Sequence, residues 1–144
     1  MPHSVATVLV VLVLAAAWSD FRTRRIPNVL TVAGAVSGLA LHVWYSGLPG
    51  ALTSIEGLLV GLGLFIMFFF AGGMGAGDVK LLAAIGALLG PQSLILVFVL
   101  TGLLGGVAAA AVIVWRRNWR ATMPYGPIIA AGTLVSLLCN VIEY

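Results

Sequence analysis

From Leu81 to Trp115 the chain carries no Asp, Glu, Lys, Arg or His. A helix with no polar face cannot sit on the surface of a water-soluble domain. It is what a bilayer with a hydrocarbon core of about 30 Å requires, because a spanning helix satisfies its own backbone and needs only apolar side chains. The remainder is similar: over 144 residues, 62% are hydrophobic and 8% charged, and the mean hydropathy is +1.18. That balance lies outside the range of soluble globular domains. The sequence is therefore read as an all-α, polytopic integral membrane protein embedded in a lipid bilayer.

Polar, Gly and Pro clusters divide the apolar pattern into about six transmembrane helices: Val5–Trp18, Val29–Tyr45, Leu52–Ala71, Val79–Leu89, Ser93–Trp115 and Tyr125–Ile142. The fourth is short, reaching about 16 Å at 1.5 Å per residue. Joining it to the fifth would exceed one ordinary span, and Gly90-Pro91-Gln92 is a natural turn between them. Short loops and the lack of an internal repeat predict one compact bundle, a single domain over 1–144. Small residues four apart, at Gly34/Gly38, Gly57/Gly61, Gly86/Gly90 and Gly102/Gly106, predict close helix packing.

Charge sets the expected orientation. Six of the seven basic residues are arginines, in clusters at 22–25 and 116–120. The positive-inside rule puts both clusters in the cytoplasm, and the four spans between them satisfy that parity. Asp20, Asp78 and Lys80 then fall on the cytoplasmic side, and both termini outside. Val5–Ala17 does not read as a secretory signal, since the arginines follow the apolar run instead of preceding it. The lone Cys139 supports no intrachain disulfide or CxxC motif. No basic face exists for nucleic acid. His3 and His42 belong to the end opposite the aspartates, so neither a metal site nor a cofactor is expected. Oligomeric state is not legible.

Of the four acidic residues, Glu143 is penultimate and Glu56 falls near the outer end of the third span. Asp20 and Asp78 share a face, each at the end of an apolar segment, and carboxylates in such places tend to mark function. Two carboxylates about 4 Å apart at an effective dielectric near 20 would repel by about 4 kcal/mol, so one proton would be held between them. The ionised partner can then take a proton from an attacking water while the protonated partner donates to a peptide carbonyl. Gly73, Gly75 and Gly77 in "GGMGAGDVK" are expected to form a loop that leaves room for a substrate backbone beside Asp78. It is not a phosphate loop, because GxxxxGK[ST] is absent.

"GAGDVKLLAAIGALLG" resembles the GxGD region of the type IV prepilin peptidases. "DFRTRRIPNVLT" resembles their first aspartate segment, and "MPYGPIIAAG" their last-helix segment. The resemblance implies a membrane aspartic peptidase with Asp20 and Asp78 as its catalytic pair. Its implied substrate is a prepilin or pseudopilin, cut at a basic leader on the cytoplasmic face of a prokaryotic inner membrane. Larger members carry paired CxxC motifs tied to methylation of the new amino terminus. This chain opens on a span and has one cysteine, so methyltransferase activity is not expected, and the short form resembles the peptidases of tight-adherence (Flp-type) pilus systems.

Supporting roles are expected for Gly75 and Gly77 as space for substrate, for Lys80 as an interfacial cation offsetting Asp78, and for Tyr125 as an interfacial aromatic that could line the substrate path. Pro27 is expected in the first turn of a helix. Two readings compete: a small proton- or cation-translocating protein using the paired aspartates, and a structural component of a secretion apparatus.

Overall fold

The computed structural model describes residues 2–70, 74–116 and 125–142, helical almost throughout. Four helices follow one another: α1 (His3–Thr23), α2 (Asn28–Phe70), α3 (Ala76–Arg116) and α4 (Tyr125–Ile142). Three stretches, His3–Thr23, Asn28–Met67 and Ala76–Val107, are long and apolar enough to cross a membrane. The sequence led us to expect about six separate helices. The difference lies at two glycines: Gly47 (φ 61°, ψ −138°) interrupts α2 and Gly90 (φ 77°, ψ 172°) interrupts α3. Both conformations are in the left-handed half of φ space, where side chains other than glycine are strained. One residue thus does the work expected of a loop.

Packing registers reveal what these breaks accomplish. In the first arm of α2, Gly34 meets Ala84 and Gly38 meets Ala87; in the second, Gly57 meets Gly86 and Gly61 meets Leu82 and Ala83. Partner numbers rise together in the first arm and run oppositely in the second. The two arms of α2 are therefore antiparallel and clasp the first arm of α3 between them. Beyond Gly90, Leu94 packs on Gly86 and Phe98 stacks edge-on against Phe65 with ring centroids 5.1 Å apart, so α3 also folds back on itself. Helix α4 packs against α1 and α3, with Gly132 against Thr101 and Ile128 near Gly105.

The shortest expected span turns out to be the centre of the bundle. Every residue from 81 to 88 is buried, and Leu81, Leu82, Ile85 and Leu88 are fully so. A helix that is apolar all round is one with neighbours on all sides. Its small residues Ala83, Ala84, Gly86 and Ala87 let those neighbours close in. Three of the four expected small-residue pairs serve this packing. Gly102/Gly106 does not, since a Cβ at either position would meet nothing within 4 Å. The Phe65–Phe70 run divides: Phe65 is buried, whereas Phe69 and Phe70 are exposed.

The end of this central arm is capped from outside. Pro91 has no N–H to offer the carbonyl of Ala87, and Gly90 interrupts the helical backbone just before it. Ser54 Oγ donates to Ala87 O at 2.9 Å, and His42 Nε2 lies 3.0 Å from Leu88 O, where a protonated Nε2 donates to the carbonyl. Two side chains of α2 thus take over from the missing backbone bonds, and they fix His42 at the end of the bundle away from Asp78.

Candidate active site

At the other end, α1 closes around Asp20. The residue lies in its last turn, 7% exposed, and its own carbonyl accepts the Arg24 N–H at 2.8 Å. Arg24 adopts φ 52°, the left-handed conformation that terminates helices. Ser19 Oγ and Thr23 Oγ1 both donate to Arg25 O, at 2.9 and 3.2 Å, and hold the following loop down. Ile26, buried, then turns inward. Pro27 stands one residue earlier than expected, outside the first turn, where its carbonyl accepts the Leu30 N–H at 3.1 Å and opens α2.

Asp78 was expected within a glycine loop. The described part of that segment shows it instead in the first turn of α3. The Gly75 carbonyl accepts the N–H groups of Asp78 and Val79, and the Gly75 N–H donates to Asp78 Oδ2 at 3.2 Å. This is a reciprocal cap, with the aspartate three residues into the helix reaching back to the residue that opens it. The partial positive charge of a helix N-terminus stabilises a carboxylate in that place. Gly75 and Gly77 do not have the positive φ that would demand glycine; what they provide is closeness. A Cβ on Gly75 would stand 3.1 Å from Asp78 Oδ2, and one on Gly77 would stand 3.3 Å from the Ile26 Cβ. Gly73 lies outside the described residues.

The contact of Gly77 with Ile26 sets the first turn of α3 against the loop that follows Asp20. Half-buried Asp78 there lies within electrostatic reach of the Asp20 charge. Two carboxylates from distant parts of the chain are thereby brought to one end of the bundle. Lys80, expected to offset Asp78, is directed elsewhere: its Nζ donates to Asn28 Oδ1 at 3.0 Å. Two residues further along a helix points away from Asp78 by roughly half a turn, so Lys80 faces α2 and helps line a groove of about 380 Å³ with Asn28, Thr31 and Leu62. Tyr125 begins α4, and its side chain lies outside the described residues. Asn28 and Ile26 are the residues that sequence reasoning did not single out. The Ile-Pro-Asn run was visible as a helix start, but nothing local connects it to Lys80.

The chain resembles proteins named prepilin leader peptidase/N-methyltransferase. That of Bacillus subtilis (strain 168) is 35% identical over 140 residues, covering 92% of this chain and 54% of the relative. That of Escherichia coli (strain K12) is 32% identical over 126 residues, covering 82% and 55%. One from Burkholderia pseudomallei (strain K96243) is 34% identical over 131 residues, covering 82% and 40%. The chain thus spans about half, or less, of the length of these curated relatives. No solved structure matches it. The model of the Type IV leader peptidase family matches residues 7–110, a stretch that contains both Asp20 and Asp78. This chain belongs to the Type IV leader peptidase family.

Proposed function

We propose that the chain is a membrane-embedded aspartic endopeptidase that removes the basic leader from type IV prepilin-like proteins. The observation that carries the reading is the placement of Asp20, at the end of α1, and Asp78, at the start of α3, within electrostatic reach of each other at one end of an apolar bundle. Family membership favours this over the ion-translocating alternative and over a purely structural role. The relatives' names include an N-methyltransferase; the proposal extends to the peptidase alone.

In the proposed reaction one carboxylate is ionised and takes a proton from water as the oxygen attacks the scissile carbonyl. The other, protonated, donates to the carbonyl oxygen. Collapse of the tetrahedral intermediate breaks the C–N bond, and a proton passes to the departing amine. Products are a leader ending in a carboxylate and a mature protein with a new amino terminus. Exposed Gly75 adds no side chain beside Asp78, which suits an extended substrate backbone, while Gly77 lets Ile26 pack close. The substrate's own hydrophobic helix, confined to the same bilayer, reduces the orientational entropy lost on encounter.

In this reading α1, both arms of α2, both arms of α3 and α4 make six passes within a single domain, in a prokaryotic inner membrane. The arginines at 22–25 hold the active end in the cytoplasm. Exposed apolar side chains such as Val29, Val36, Leu59 and Val107 face lipid. Co-expression with candidate prepilins, read as a gel shift on leader loss, tests the assignment. Asp20→Asn and Asp78→Asn are expected to insert normally and leave the prepilin unprocessed. Processing by either variant excludes the dyad.

A further inference from the structure

Asp20 and Asp78 stand on separate elements, so their separation must be set by whatever joins those elements at this end. Two contacts do so. Ile26 packs on Gly77, a contact of one side chain with a backbone. The other is polar and reaches further: Lys80 Nζ donates to Asn28 Oδ1 at 3.0 Å, across 52 residues of sequence. Asn28 follows Asp20 by way of a loop pinned through Ser19, Thr23 and the left-handed Arg24. Lys80 lies just beyond Asp78 in the first two turns of α3. The two bridging contacts therefore bracket Asp78, Gly77 on one side and Lys80 on the other.

The chemistry of the bridge also matters. Lys80 is only two residues along the chain from Asp78, yet it is turned from it and faces α2. Among the described residues it forms no ion pair, and its charge rests on a neutral amide oxygen. An ammonium-to-amide bond is charge-assisted and directional, and it commits the lysine to the amide instead of to Asp78.

We infer that Asn28 and Lys80 are positioning residues, a polar clamp between the start of α2 and the start of α3 that sets the spacing of the two aspartates without ion-pairing to either. The inference rests on the peptidase reading for its catalytic consequences, and on geometry alone for its structural ones.

Both levels are testable in the full chain in proteoliposomes. Asn28→Ala and Lys80→Met each remove one end of the clamp, and each is expected to lower kcat for leader removal by about tenfold to a hundredfold, the scale of a misplacement near 1 Å, with KM changed less than about twofold. Asn28→Asp keeps the acceptor oxygen and is expected to retain most of the activity. The double variant Asn28→Ala/Lys80→Met is expected to be no worse than either single one, as for two groups acting through one bond. Wild-type kcat in Asn28→Ala, or multiplicative losses in the double variant, would overturn the clamp.

A second readout does not depend on activity. With Cys139→Ser, cysteines placed by Asp20→Cys and Asp78→Cys are expected to cross-link with a short bifunctional reagent, and severalfold more slowly once Asn28→Ala or Lys80→Met is added. Unchanged cross-linking overturns the clamp even if no prepilin is cut. A wild-type chain that cuts no prepilin, yet shows the slowed cross-linking, refutes the peptidase reading and leaves the clamp standing.

Discussion

Gly57→Ala is expected to destabilise the bundle, although alanine is the better helix former. On helix propensity alone the change would stabilise by about 1 kcal/mol. Opposing this, the new methyl would collide with the Gly86 carbonyl oxygen, 2.8 Å from that carbonyl's carbon and 2.9 Å from the Gly90 Cα. All three neighbours are backbone atoms of the central arm of α3, which is enclosed on every side and cannot rotate out of the way. Forcing a methylene into a filled interior costs about 1–3 kcal/mol, and a backbone collision belongs at the upper end. The net expectation is a loss of about 1–2 kcal/mol. Gly63→Ala is the internal control, because a Cβ there meets nothing within 4 Å; it is expected to be neutral or to gain up to about 1 kcal/mol. Thermal unfolding of both variants in one detergent, followed by circular dichroism, measures the difference. If Gly57→Ala unfolds at the same temperature as Gly63→Ala, the clasp of α2 around α3 is wrong.

Three other outcomes follow from the same structure. Ser54→Ala removes the side-chain donor to the Ala87 carbonyl, to which Pro91 offers no N–H, and is expected to destabilise by about 1–3 kcal/mol in the same unfolding assay. Gly90→Ala places a Cβ at φ 77° and 3.0 Å from the Thr53 Cγ2; a loss of about 1–3 kcal/mol is expected, against little change for Gly102→Ala. Gly77→Leu inserts bulk against Ile26 and pushes the first turn of α3 away from the loop that follows Asp20. Leader removal is expected to fall at least about a hundredfold, while Gly106→Leu, on a face where a Cβ meets nothing within 4 Å, processes normally in the gel-shift assay.

Hydropathy made the helices legible, and the clusters of Gly and Pro marked where α2 and α3 break. It did not reveal how short the breaks are, because nothing in a pattern of apolar residues says whether a chain reverses over five residues or at one. Nor could hydropathy find the centre of the bundle: a leucine facing lipid and a leucine facing protein score alike. The missed signal was size, with Ala83, Ala84, Gly86 and Ala87 crowded into the one segment that every neighbour must approach. At the site, placing both aspartates at one end followed from charge parity. Reading "GAGD" as loop overlooked the spacing of Gly75 and Asp78, three apart as in a reciprocal helix cap. Lys80 and Asn28 were beyond any local reading, since their bond exists only after α2 and α3 have packed.

The most direct test of the central claim uses the purified chain in proteoliposomes with a purified prepilin, the cut site being read by mass spectrometry. Wild type is expected to release the leader at a single bond on the cytoplasmic side of the substrate's hydrophobic helix. Asp20→Asn, Asp78→Asn and the double variant are expected to be equally inactive, as for two groups that act as one unit. Wild-type rates of cleavage at that bond by either single variant would contradict the account.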